Sequence, residues 1–328
     1  MIDDTHKTRW SIGIDAAAYE LPGRPLDIEA CAQRHGWPRE RVEAIVASGC
    51  RYFHAAPEIG EVELATRAVG RLMDEAALAP SDIDLLIHVH TQQFSVPAAP
   101  RSLPAEVAHA HGIRTQWAAS IGQLGCVGIA GGMRVADALL NAYGEANAAL
   151  VVSVDRVYGE HYRLRERSGV QSDGAACVLV TRGSTRNRIG HVAIANHAAW
   201  HPGSDAVAGV ARQMIAMEWQ HTRDIIRAAC AGSGTPLERF GRVLPNNTDL
   251  RGWHSLARAM GVPRARLFED NVFKRGHACC SDFAINLADA GLAAVDAGAH
   301  VIGVMQSNTG AFGAITLHPL SGETDDAN

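Results

Sequence analysis

The residue best placed for covalent chemistry is Cys126, in the segment Gln123-Leu124-Gly125-Cys126-Val127-Gly128. A glycine-containing turn that enters a helix leaves backbone N–H groups unpaired and sets the positive end of the helix dipole at the thiol. Both favour the thiolate, the form of cysteine that attacks carbonyl carbon. The same local pattern also suits a small buried hydrophobe, the usual fate of a lone cysteine. His88 and His90 alternate along a strand, and His277 stands beside Cys279 and Cys280, yet neither set has further ligands at metal-binding spacing, so no metal is expected. Asp173 with Gly174 reads as turn chemistry. Arg163, Arg165 and Arg167 form a short basic run that suits either a phosphate or acidic partner or a solvated face. The glycines from Gly125 to Gly132 lack the G-x-G-x-x-G spacing and the G-K-[ST] ending, which excludes a nucleotide loop.

The elements that must position these groups alternate in type. Apolar runs at Leu85 to Val89, Ala149 to Val154 and Ala175 to Val180 read as strands, and Gly125 to Leu140 reads as a helix, which together mean an α/β fold. After the polar stretch Thr181 to Arg188 the same order recurs: strand-like Gly190 to Asn196 and Arg242 to Leu244, a helix from Ala278 to Ala297, then His300 to Met305 and Gly313 to Leu317. This is the pattern of a duplication, with one half over residues 1–183 carrying the cysteine and a second over 184–328. Two such halves would pack around an approximate two-fold axis, burying helices rich in Gly and Ala. The starts of those helices would then share a cleft, where Cys126 and His277 could meet.

The chain has 328 residues, 47% hydrophobic and 20% charged, enough for a substantial core. A net charge of -5 argues against a nucleic-acid surface, which needs clustered Lys and Arg. No apolar run reaches the length of a membrane span and the first ten residues are polar, so the expected location is the cytoplasm and no membrane partner is expected. The seven cysteines, an odd number without paired spacing, fit reduced thiols.

Several segments taken in order resemble the thiolase superfamily, and within it the β-ketoacyl carrier-protein synthase III branch. Ser48-Gly49-Cys50-Arg51 and Ala55-Ala56-Pro57-Glu58 are similar to that family's G-I-R and A-A-P segments, and Ala65-Thr66-Arg67-Ala68 follows in a helix. Cys126-x-Gly128 resembles its C-x-G nucleophile site, and Ser172-Asp173-Gly174-Ala175-Ala176 resembles its G-D-G-A-G turn. Leu244-Pro245-Asn246-Asn247 stands where the family has V-P-H-Q, and Lys274-Arg275-Gly276-His277-Ala278 where it has G-N-T-S. Ser307-Asn308-Thr309-Gly310-Ala311-Phe312-Gly313 replaces a G-G-G-F-type loop.

The resemblance implies duplicated βαβαβαββ halves in a five-layered αβαβα arrangement, a homodimer, and acyl transfer from a coenzyme A or acyl-carrier-protein thioester through an acyl-cysteine. It implies a catalytic set of Cys126, His277 and Asn246, with the family's histidine and asparagine exchanged, and an oxyanion hole of the Cys126 and Asn308 backbone N–H groups. Asparagine cannot titrate, so the base is His277 and Asn246 is expected to donate a hydrogen bond to substrate. No redox or nucleotide cofactor is expected, because the thioester already carries the activation. The exchange resembles divergent members in antibiotic pathways that move the acyl group onto the hydroxyl or amine of a small-molecule acceptor. Decarboxylative Claisen condensation and a catalytically silent subunit are the alternatives.

Overall fold

The computed structural model describes residues 11–165, 168–200 and 208–320. The first sheet runs in the order β1-β9-β6-β4-β5: β1 (Ile12–Glu20), β4 (Leu85–Val89), β5 (Trp117–Ile121), β6 (Ala148–Asp155) and β9 (Gly174–Arg182). β4 lies parallel to both β5 and β6, while β9 runs antiparallel to its neighbours β6 and β1. Parallel neighbours need crossovers, which α4 (Leu103–Ala110) and α5 (Gly128–Ala142) supply. Helices then cover both faces, and this is why β4 and β6 are buried along their whole length and read as unbroken apolar runs.

The second sheet runs β10-β13-β12-β11: β10 (Asn187–Asn196), β11 (Phe240–Leu244), β12 (His300–Gln306) and β13 (Ala311–Pro319). Its pairing senses, antiparallel, antiparallel, then parallel, repeat those of β1, β9, β6 and β4. The duplication therefore holds strand by strand, with one exception. Where a counterpart of β5 would lie, a 3-10 turn after Pro263 (Arg264–Arg266) takes the chain away and one bridge, Val243 to Leu267, is all that forms. Among the described residues the second sheet has four strands.

Three apolar clusters separate five layers. The central one joins inner-face residues of both sheets (Val89, Val151, Val178, Met305, Ile315) to α5 and to the helical run of α9 (Asp282–Asn286), a π turn (Leu287–Gly291) and α10 (Leu292–Asp296). A second cluster packs α3 (Glu61–Glu75) and α4 on the outer face of the first sheet. The third packs α6 (Ala208–Ser233) and α7 (Leu250–Ala259) on the outer face of the second. Small residues let α5 lie close against the first sheet: a Cβ on its Gly132 would lie 2.7 Å from Val151 of β6 and 3.0 Å from Val89 of β4.

A smaller cap stands over one end of the central layer. It contains the ribbon of β2 (Leu26–Asp27) and β3 (Tyr52–Phe53), helices α1 (Ile28–His35), α2 (Arg39–Ala47) and α8 (Asp270–Lys274), and a second ribbon of β7 (Leu164–Arg165) and β8 (Gly169–Val170). Leu164, Val170 and Phe53 share its core. Successive strand residues face opposite sides, so Leu164 enters the cap while Arg165 turns to the central layer.

Candidate active site

Cys126 lies in a 3-10 turn (Gly125–Val127) that opens directly into α5. Gly125 sits at φ +53°, and a Cβ there would stand 2.1 Å from Ser307 Oγ, so only glycine lets the loop after β12 close on the nucleophile turn. The Cys126 side chain is buried. Opposite it, a matching 3-10 turn (Cys279–Ser281) opens into α9, with His277 just ahead. The His277 backbone donates to Val170 O and accepts from Ser172 N, both at 2.9 Å, which ties it to β8 across the two halves.

The two helix starts do share one cleft. Cys126 Sγ lies 3.2 Å from His277 Nε2, and His277 Nδ1 lies 2.5 Å from Asp282 Oδ2. Asp282 is the first residue of α9, where free N–H groups and the dipole favour a carboxylate. It accepts from the Ala278 N–H at 2.7 Å, the Asn247 N–H at 2.7 Å and the Asn247 side-chain amide at 3.3 Å. Sequence reading missed this acid; an Asp at a helix start five residues after a candidate base was its only signal. The order of contacts is thiol, imidazole, carboxylate.

Asn246 lies against the acid. Its Oδ1 accepts from the Gln306 N–H at 2.6 Å and its Nδ2 faces Asp282 Oδ2 at 3.4 Å, so the amide braces the acid and the end of β12. The reason is the polar layer beneath it, where Asn286 donates to Pro245 O at 2.8 Å and to Asn247 Oδ1 at 3.0 Å and so holds the whole loop.

Arg165 was left open by its sequence context, and the fold brings it to the centre. Its Nη1 stands 3.2 Å from His277 Nε2 and 3.9 Å from Cys126 Sγ. Arg163 is structural instead: it is buried, bonded to Asp173 Oδ1 at 3.1 Å and to Glu160, and placed over the Phe53 ring. Arg167 lies outside the described residues. A pocket opens beside the site, lined by Arg165, Glu218, Trp219, Asn246, His277 and Gln306 among others.

These surroundings move the protons. A hydrogen bond with the Cys279 thiol, together with the His277 and Arg165 charges, holds the Cys126 thiol well below its usual range despite burial. Burial disfavours the His277 cation, but Asp282 and Cys126 outweigh it and push the imidazole up to about 9. Cys279 is driven the other way, well above the ordinary thiol range, by Cys126 and burial. Both shifts favour a thiolate–imidazolium pair, with Arg165 on the sulfur side of the ring and Asp282 on the other.

The remaining candidates sit elsewhere in role. His88 bonds Ser120 Oγ at 2.9 Å, stacks on His90, and burial lowers it to about 3. Among the described residues no group of three or more His, Cys, Asp or Glu is arranged to hold a metal, and no helix is long and apolar enough to cross a membrane. All seven cysteines are free thiols. In the loop after β12, Ser307 N–H donates to Ala311 O, Gly310 N–H to Ser307 O and Thr309 N–H to Ser307 Oγ. Of that turn, Asn308 alone has a backbone N–H without a described partner.

Two curated proteins are similar to this chain along most of its length. The chain is 28% identical over 281 residues to β-ketoacyl-[acyl-carrier-protein] synthase III 2 of Streptomyces avermitilis, covering 79% of this chain and 83% of that protein. It is 24% identical over 254 residues to the β-ketoacyl-[acyl-carrier-protein] synthase III of Aquifex aeolicus, covering 74% and 79%. By sequence, then, the chain is similar to β-ketoacyl-[acyl-carrier-protein] synthase III enzymes. Among solved structures, ChlB3, an acyltransferase, superposes with a TM-score of 0.81 at 18% identity over 94% of this chain and 98% of its own. AbyA1, a tetronic acid condensing enzyme, gives 0.79 at 20% identity over 94% and 100%. No protein-family model matches the chain. As a KAS III-like fold, the chain has the duplicated, five-layered arrangement that its sequence implies.

Proposed function

We propose that this protein is an acyltransferase that takes an acyl group from a coenzyme A or carrier-protein thioester onto Cys126 and passes it to a hydroxyl or amine of a small-molecule acceptor. The observation that carries this reading is the contact between Asp282 and His277 Nδ1. A proton held on Nδ1 by the carboxylate leaves the neutral imidazole with its lone pair on Nε2, the nitrogen that faces the nucleophile. That is a base, not a donor.

The Cys126 thiolate attacks the thioester carbonyl, and the oxyanion is held by the Cys126 backbone N–H with Asn308 N–H as the candidate second donor. As the carbon–sulfur bond of the donor breaks, the leaving thiolate takes the Nε2 proton of His277 and departs as a thiol. The acyl-enzyme then contains a neutral His277, which accepts the acceptor's proton at Nε2 while the oxygen or nitrogen attacks. Collapse expels the Cys126 thiolate and restores the resting pair.

Decarboxylative condensation instead needs two N–H donors converging on a thioester carbonyl. Here the Asn246 amide is held by Asp282 and Gln306, and neutral His277 offers no N–H at Nε2. The likeness to ChlB3 supports acyl transfer, while the likeness to AbyA1 keeps condensation as the second reading. The test is intact-mass analysis after incubation with a panel of acyl thioesters. An adduct that disappears in Cys126→Ala and is discharged by amine or alcohol acceptors is the expected result. Carbon dioxide release on adding a malonyl carrier protein overturns it in favour of condensation, and no adduct with any donor marks a silent subunit. A homodimer is part of the proposal: β5 is an edge strand with one unpaired side, which a second copy can extend.

A further inference from the structure

We propose that Arg165 governs the protonation of the Cys126–His277 pair, stabilising the thiolate before acylation and keeping His277 neutral afterwards, so that the same imidazole serves as acid in the first half reaction and as base in the second. This rests on the acyl-transfer reading of the site.

The geometry makes the guanidinium a third member of the pair. Arg165 Nη1 is 3.9 Å from the sulfur and 3.2 Å from Nε2, so two cations flank one thiolate. Two positive groups this close repel each other, and the arrangement is tolerable only while the sulfur between them is negative. Acylation turns that sulfur into a neutral thioester. The attraction that kept His277 protonated disappears while the repulsion from Arg165 remains, because arginine does not deprotonate in proteins. His277 therefore surrenders its proton to the departing thiolate and is held back from taking another until the acceptor supplies one.

The other charged and titratable neighbours do not duplicate this. Asp282, on the far side of the ring, favours the imidazolium equally in both states. Cys279, whose Sγ donates to Gln171 Oε1 at 3.8 Å, lowers Cys126 and is itself raised by it. Asp155, on β6, bonds the Thr91 and Gln92 N–H groups and Cys280 Sγ, and burial pushes it up to about 7. Glu218, on α6, attracts Arg165 in both states of the sulfur. Arg165 is the neighbour that attracts the thiolate before acylation and still repels the imidazolium once the sulfur is neutral.

The position is built, not incidental. Arg165 closes β7, whose Leu164 is anchored in the cap, while Ser168 N–H donates to Arg165 O at 2.9 Å. Arg163, two residues earlier, fixes the approach to β7 by its bonds to Asp173 and Gln171 O.

Two measurements test the inference without any acyl donor. First, the rate of Cys126 alkylation by iodoacetamide is followed against pH by peptide mass spectrometry in wild type, Arg165→Gln and Arg165→Lys. The thiolate limb is expected to move up by about one pH unit or more in Arg165→Gln, the size of shift that an opposite charge within ~4–6 Å produces, and to stay nearly in place in Arg165→Lys. Second, His277 is titrated by NMR in Cys126→Ala, which stands in for the uncharged sulfur, with and without Arg165→Gln. Its midpoint is expected to fall relative to wild type in Cys126→Ala and to recover by about one unit when Arg165 is also removed. An unmoved alkylation limb in a folded Arg165→Gln protein, or a His277 midpoint in the Cys126→Ala background indifferent to Arg165, overturns the inference. If both shifts appear but no thioester acylates the protein, the acyl-transfer reading fails instead.

Discussion

The two turns that open the central helices have the same backbone plan and opposite contents. Gly125–Val127, ahead of α5, is apolar, holds the thiol, and is bare enough for Ser307 to pack on it. Cys279–Ser281, ahead of α9, leads into Asp282, whose carboxylate gathers backbone N–H groups and the imidazole of His277. Duplication thus supplied two helix N-termini facing one cleft, each suited to an anion. One stabilises the nucleophile's negative charge and the other seats the acid that orients the base.

Breaking either anion separates the two roles. Cys126→Ala is expected to abolish acyl-enzyme formation altogether, read by intact mass. Asp282→Asn should leave the thiol alkylatable but lower acyl transfer by on the order of 10³- to 10⁴-fold, because an amide can donate to Nδ1 and favour the wrong tautomer, the effect seen when a triad carboxylate becomes an amide. Stopped-flow release of the donor thiol measures it. With His277 raised to about 9, the first half reaction is expected to fall as pH rises past about 9, where the imidazole loses the proton it must deliver, and to fall again on the acid side as the depressed Cys126 thiolate is protonated. A pH profile flat through 9 to 10 would detach His277 from that step.

Smaller effects sharpen the comparison of the helices. Gly132→Val puts side-chain atoms where even a Cβ would be 2.7 Å from Val151, and should cost roughly 1–3 kcal/mol by overpacking, measured by urea denaturation. Replacing Cys279 by Ala removes the hydrogen bond that helps lower Cys126, so its alkylation limb is expected to shift upward, by less than the Arg165→Gln shift because the Cys279 contact carries no charge.

Much of this arrangement was legible in the chain alone, and the boundary is physical. Strand and helix order follows from apolar runs and small-residue helices, whose signals lie within a few neighbouring residues. So do both ends of the thiol–imidazole pair, because each sits at a helix start. The missing counterpart of β5 was not legible, since Pro263 and the turn after it fit a loop or a strand end equally well. Nor was the contact of Asn246 with the acid legible, because it depends on the packed Asn247, Asp282 and Asn286 layer.

What the sequence by itself determined is therefore the repeat, the nucleophile's setting and the presence of one candidate base. The tertiary structure decided the charge chemistry. Asp282 lies only five residues from His277, yet it becomes its partner through the turn between them. Arg165 is 112 residues away and reaches the ring only because the β7–β8 ribbon is pinned in the cap. Charges act across space within a few ångströms, and which ones come that close depends on packing that no local pattern encodes.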